Sequence, residues 1–259
     1  MPDPAVIIVF DFDQTLITTD SDIYVPTHLG STSALAELRW TPSESSNYPT
    51  WNAQVERALQ VLQADRGHGV ADIVAACAAL PYDDEMLEVA RLGNARGFPV
   101  HIVSDSNATY ISAFLAAVPR APVVASVETN PTYVDADGRL HIAPRHVAHT
   151  CKHCPPNLCK SLVLQNILSA YATRPRVVYL GDGYGDFCPV KNILTATDIA
   201  LCRFDTQAPQ AQTLYKLIQR NPPRCRVEYF ARGPDCLALM QRLVFRDHLY
   251  IAKIHLQAI

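Results

Sequence analysis

The segment Ala5-Val6-Ile7-Ile8-Val9-Phe10 contains no polar residue and stops at Asp11-Phe12-Asp13. A short run rich in Val and Ile is the pattern of a strand buried on both faces, which means a parallel strand covered by helices. The stop puts two carboxylates, one residue apart, at the strand's carboxyl end. Open α/β sheets hold their ligands beyond that end.

The rest of the chain repeats the theme. Pro99–Val103, Ala121–Thr129, Arg176–Leu180, Thr197–Cys202 and Cys225–Phe230 read as further strands. Helical spacing of apolar residues predicts helices over about 52–64, 70–80, 84–96, 108–117, 159–172, 186–195, 208–220 and 234–255. Asp137-Gly138 between alternating residues predicts a hairpin over Tyr133–Ile142. Strands alternating with helices imply an α/β fold, a three-layer Rossmann-like parallel sheet. The helical texture from Ser21 to Gly97, broken by the loop 41–47, reads as a cap inserted after the first strand. The core then comprises residues 1–20 and 98–259.

Composition narrows the function. A chain of 259 residues with net charge −3 carries no basic run for nucleic acid. No stretch approaches the ~20 apolar residues of a membrane span. Met1-Pro2-Asp3 is unlike a signal peptide, so a cytoplasmic protein with reduced thiols is expected. Leu239, Leu243, Tyr250 and Ile254 on the last helix either pack on the chain's own sheet or cover another surface, which leaves a homo-oligomer open.

Four segments carry chemistry. One of Asp11 and Asp13 can attack phosphorus while the other handles the proton, splitting a hard displacement into two easier ones. The alternative is a polar strand end; Thr15 directly behind the pair favours chemistry. Ser104, with Asp105, Ser106 and Asn107, follows the second strand, where hydroxyl and backbone N–H groups can hold a phosphate oxygen or cap the next helix. Lys160 opens a helix and either neutralises phosphate and Asp11 or lies on the surface. Gly181-Asp182-Gly183-Tyr184-Gly185-Asp186 offers a tight turn and hard oxygen ligands for Mg²⁺. Neither a P-loop nor a Rossmann fingerprint is present.

In this order the segments resemble the haloacid dehalogenase-type phosphatases. The stretch His149 to Lys160 with its three cysteines, and Gly181 to Pro189, resemble more narrowly the phosphoethanolamine/phosphocholine phosphatase-like branch. That branch includes pyridoxal phosphate, thiamine phosphate and pyrophosphate phosphatases. Ser106 stands where the branch usually has Ala, and Gln14 departs from its usual Glu, Lys or Arg. The resemblance implies Asp11 as nucleophile and metal ligand, and Asp13 as acid/base with its backbone carbonyl on the metal. It implies Ser104 and Lys160 as phosphate ligands, grouped with Thr15 and Asn107, and Asp182 and Asp186 as the Mg²⁺ site. Asp22 and Asp105 match substrate-selecting positions, where a carboxylate favours a cationic leaving group; the alternative is that Asp22 caps a helix and Asp105 faces away. The partner is then a small phosphorylated metabolite. A phosphotransferase using the same intermediate, an inorganic pyrophosphatase and a non-catalytic binding protein are the other readings.

Cys151, Cys154 and Cys159, with His149 or His153 nearby, form half of a zinc-site pattern and lack a second Cys pair at finger-like spacing. Packed reduced thiols are expected there, with structural zinc as the alternative. Cys188 is expected to pack beneath the metal loop, and His101 and His141 to be structural.

Overall fold

The computed structural model describes residues 4–38, 50–206 and 212–245. Six strands make one parallel sheet: β1 (Val6–Phe10), β2 (Val100–Asn107), β3 (Ser126–Asn130), β6 (Arg176–Gly181), β7 (Ile199–Arg203) and β8 (Arg226–Phe230), in the order β3-β2-β1-β6-β7-β8. A separate antiparallel hairpin joins β4 (Thr132–Val134) to β5 (Leu140–Ile142).

β1 is fully buried, and its alternate side chains enter two cores. Val6, Ile8 and Phe10 face one, Ile7 and Val9 the other. The second core is closed by α7 (Lys160–Ser169), α8 (Tyr184–Asn192) and α9 (Thr213–Arg220). The first is closed by α5 (Asp84–Asn94), α6 (Ala108–Ala117) and α10 (Gly233–Met240), and it continues into α1 (Ser21–His28), α2 (Thr32–Glu37), α3 (Trp51–Arg66) and α4 (Val70–Ala78). This is the expected three-layer α/β architecture. Strand order reverses between β1 and β6, so the ligand crevice of such a sheet opens where these two strands end.

Four elements differ from the sequence expectation. β3 starts at Ser126 rather than Ala121, with Val123 exposed and Pro122 without an N–H to donate. β2 runs on to Asn107, because Asn130 Nδ2 donates to the carbonyls of Asp105 and Ser106 at 2.6 and 2.9 Å and so extends the pairing beyond Val103. Helices α1 and α2 were not separately legible, since Pro26 interrupts the pattern; caps from Asp20 and Ser31 start them. The last helix is α10 followed by a wider turn over Gln241–Phe245, with Leu239 and Leu243 packed on the chain's own core. Tyr250, Ile254, the loop 41–47 and the start of the 208–220 helix lie outside the described residues.

Within the helical block, α5 lies on the sheet itself. A Cβ at Gly93 would meet Ile8 Cδ1 at 2.5 Å, so glycine is what lets this helix approach β1. α3 instead reaches the hairpin. Gln63 exchanges hydrogen bonds with the backbone of Leu140, while Glu56 bonds His141 and the Ile142 N–H. His141 therefore ties α3 to the hairpin, and His101 bridges Ser126 and Tyr171, which makes both structural.

Candidate active site

Register brings the distant segments together. Phe10 pairs with Ile102 on one side and Leu180 on the other, so Asp11, the end of β2 and the Gly181-Asp182 corner share one edge. The Asp11 N–H still donates to Leu180 O at 2.9 Å, after which the chain leaves the sheet. It turns through Phe12–Leu16, with Gln14 in the left-handed region at φ 53°. A non-glycine residue there is strained, as residues beside active sites often are. Arg203 holds this turn by donating from Nη1 to Gln14 O at 2.6 Å.

At the centre lies Lys160, the first residue of α7 and 2 % exposed. Its Nζ is 2.8 Å from Asp11 Oδ1 and 2.8 Å from Asp186 Oδ1. Burial opposes its charge, yet these two carboxylates hold its pKa well above the usual lysine range. Asp186 is fully committed. Its Oδ1 also accepts from Tyr179 OH, and its Oδ2 accepts from the N–H groups of Asp182 and Gly183. Burial pushes Asp186 up, but Lys160 and these donors outweigh it and hold the carboxyl below its ordinary range. A Cβ on Gly181 would lie 2.5 Å from Asp186 Cγ, so only glycine permits this packing.

Asp11 and Asp182 are the carboxylates that remain under-compensated. Burial, then Asp186, raises Asp11 well above the usual range, with Lys160 opposing. The same two causes push Asp182 up to about 8, although Thr15 Oγ1 donates to its Oδ1 at 3.1 Å. Oxygens of Asp11, Asp182 and Asp186 lie within 4.8 Å of one another. Three buried carboxylates around one ammonium, all hard oxygen donors, fit a divalent cation of the Mg²⁺ type. Because both Asp186 oxygens already hold two donors, that residue is placed to orient its neighbours.

The other predicted residues line the approach. Asp13 Oδ1 accepts from Ser21 N at 2.7 Å; burial, then Asp20 and Asp22, raises its pKa well above the usual range. Ser104 is completely buried, and its Oγ accepts from Ser106 N. Asn107 caps α6 through Tyr110 N, leaving its buried Nδ2 without a partner. Asp22 is not the cap of α1, because Asp20 accepts from the N–H groups of Asp22 and Ile23. Asp22 points inward, with Oδ2 accepting from Trp51 Nε1 at 2.8 Å and Oδ1 buried and unpaired. Asp105 is near enough for its charge to raise Asp11, Asp20 and Asp22.

Sequence reasoning missed Asp20, which burial pushes up to about 6, along with Tyr179 and Arg203. Only the N-cap pattern of Asp20 was readable. The roles of Tyr179 and Arg203, at strand positions, needed the fold. Ser106, noted only as a departure, bonds Ser21 Oγ at 3.0 Å and so ties the end of β2 to α1.

Residues 6–244 match the family described as Putative Phosphatase. The chain belongs to this family. Within it, this phosphatase falls in the haloacid dehalogenase-like, phosphoethanolamine/phosphocholine phosphatase-like branch. It is 35 % identical over 224 residues to a thiamine phosphate phosphatase-like protein of Arabidopsis thaliana, covering 84 % of this chain and 85 % of the relative. It is 29 % identical over 249 residues to inorganic pyrophosphatase 2 of the same plant, covering 92 % and 84 %. A crystal structure of a HAD family hydrolase from Salmonella enterica superposes with a TM-score of 0.60 at 19 % identity, over 92 % of this chain and 71 % of that one, which supports the fold. The family's phosphatases act on small phosphorylated metabolites, and this chain is a phosphoric monoester hydrolase. Among the described residues, no helix is long and apolar enough to cross a membrane.

Proposed function

We propose that this phosphatase uses Asp11 as a nucleophile, with Mg²⁺, to hydrolyse a small phosphomonoester whose leaving group is cationic. The observation that carries the proposal is the division of charge in the site. One ammonium, Lys160, lies on the Asp11 side. Asp20 and Asp22 gather on the Asp13 side, Asp105 acts on Asp11 as well as on Asp20 and Asp22, and Asp22 Oδ1 is unpaired.

In this reading an Asp11 oxygen attacks phosphorus, and the bond to the leaving oxygen breaks as Asp13 donates its proton to that oxygen. Asp13, now a carboxylate, takes a proton from water, which attacks the aspartyl-phosphate and releases inorganic phosphate. Lys160, Ser104 and its neighbouring N–H groups hold phosphate oxygens. Asp11, the Asp13 carbonyl and Asp182 would hold Mg²⁺, which supplies charge neutralisation for the phosphoryl group. Asp186 orients Lys160 and the Asp182 loop. Helices α1 to α4 form the cap over this site, and α5 belongs with the core, a narrower cap than residues 21–97.

Phosphate release with Mg²⁺ from phosphocholine, phosphoethanolamine and thiamine monophosphate, against pyridoxal phosphate and pyrophosphate, tests the reading. A cationic substrate is expected to lead. Burial, then Asp20, pushes the Asp22 carboxyl well above the usual range, and a cationic group beside it favours the charged form. Asp22→Asn keeps the Trp51 bond and removes that carboxylate, so it should cut the preference by about 10-fold or more. A preference for pyrophosphate, or an unchanged ratio in the variant, would overturn the charge argument and favour the pyrophosphatase reading.

A pH profile checks the acid. Asp20 is charged above about pH 6, and its charge helps keep Asp13 protonated. Removing that charge in Asp20→Asn, which retains an N-cap acceptor, lowers the Asp13 pKa. The basic limb of kcat/KM should therefore move to lower pH. A limb that stays in place would show that Asp13 is not the acid it reports.

A further inference from the structure

Four sulfurs converge away from the carboxylates. Cys151, Cys154 and Cys159 come from the loop ahead of α7, and Cys188 comes from α8; all four Sγ atoms lie within 4.8 Å of one another. Cys151 and Cys188 are 3.3 Å apart and unbonded, since a disulfide requires about 2.05 Å. Sulfurs on a tetrahedral zinc, each about 2.3 Å from the metal, stand about 3.8 Å from one another. A cluster bounded by 4.8 Å, with one pair at 3.3 Å, is compact enough to close around one such ion.

Its surroundings fit as well. The His153 N–H donates to Cys151 Sγ, Asn192 Nδ2 donates to Cys188 Sγ, and Ser161 Oγ is 2.8 Å from Cys188 Sγ. Such donors orient and stabilise thiolate ligands. Packing alone is a poor account, because Cys151 and Cys154 are only partly buried, and neither belongs to either apolar core. Between Ile142 and Lys160 the chain has no helix or strand, yet it must deliver Lys160 to within 2.8 Å of Asp186. Hydrogen bonds from Asn157 Nδ2 to Asn130 and from the Cys159 N–H to His146 already hold this segment, and a metal clamp would add to them.

We propose that Cys151, Cys154, Cys159 and Cys188 bind one structural Zn²⁺ that clamps the loop before Lys160 to the helix carrying Asp186. Cys159 immediately precedes Lys160, and Cys188 lies two residues after Asp186. The ion would fix both ends of the Lys160–Asp186 pair without touching substrate. Four protein ligands leave no open position, so the site is not catalytic. Soft thiolates select zinc, while the hard carboxylates select Mg²⁺, so the two metals separate by donor chemistry.

The test is metal analysis of the purified full chain, expressed with zinc in the medium and kept reduced. About one zinc per chain is expected after EDTA dialysis that removes Mg²⁺. The Cys154→Ser/Cys188→Ser double variant should lose it, and Cys225→Ser, remote from the cluster, should keep it. Replacement by Co²⁺ in the unmutated chain should produce thiolate-to-metal charge-transfer absorption with the intense visible bands of a tetrahedral site. That readout decides the matter even if the double variant does not fold. Zinc-free protein that gives no Co²⁺–thiolate absorption would overturn the proposal.

Discussion

Asp11→Asn should reduce phosphate release by on the order of 10⁴-fold or more while leaving the protein folded. The substitution removes the attacking oxygen's charge with almost no change in shape. An amide oxygen can still accept the Phe12 N–H, which now bonds Asp11 Oδ1 at 2.7 Å. Lys160 keeps its second partner, Asp186. Burial and the nearby carboxylates hold the Asp11 pKa well above the usual range, so the fold disfavours its charge, and neutralising it should not lower the melting temperature in metal-free buffer. Rate and melting temperature together separate a lost nucleophile from a lost fold. Residual activity within 10-fold of the unmutated enzyme, with the mass of the variant verified against deamidation, would remove Asp11 from the nucleophile role.

Lys160→Met should cost about 3–5 kcal/mol of stability at neutral pH, because it strips the cation from a buried pair and leaves carboxylates without it. Methionine fills much of the lysine stem's volume, so the loss is mainly electrostatic. The pH dependence gives the signature. In the unmutated chain, Lys160 helps hold Asp186 below its ordinary pKa, so the stability this contributes is present above the unfolded carboxylate range and is lost as pH falls through the folded value. Without Lys160, burial dominates and Asp186 protonates at higher pH. The deficit should therefore be widest at neutral pH and narrow in mild acid, as read from urea unfolding without Mg²⁺. A deficit that is small, or the same at both pH values, would mean that the pair does not hold the site together. Activity should fall as well, by at least about 100-fold, because Lys160 is the ammonium beside Asp11.

Much of the fold was readable because it rests on local patterns. Val6–Phe10 reads as a buried strand since each of its side chains enters a core, and the Asp11 stop marks the carboxyl end because a carboxylate cannot continue such a run. Lys160 was legible as a helix start, and Asp182 and Asp186 as a glycine-flanked turn, because backbone geometry dictates those residue types locally. The last stretch of β2 was not legible. Ser104-Asp105-Ser106-Asn107 has no strand pattern of its own, and Asn130, from a distant strand, supplies the bonds that extend it.

By itself, then, the sequence determined the parallel α/β layering, the edge at which the polar residues emerge and the identity of the charged groups there. Periodicity and turn chemistry are properties of neighbouring residues. Only the tertiary structure decided how those groups share charge. It brings Lys160 between Asp11 and Asp186, turns Asp22 inward to Trp51 while Asp20 takes the cap, and adds Cys188 to the three cysteines of the loop. Each of these depends on residues far apart in the chain meeting within a few ångströms. Charge interaction and metal ligation act over distance in space, to which spacing along the chain is blind.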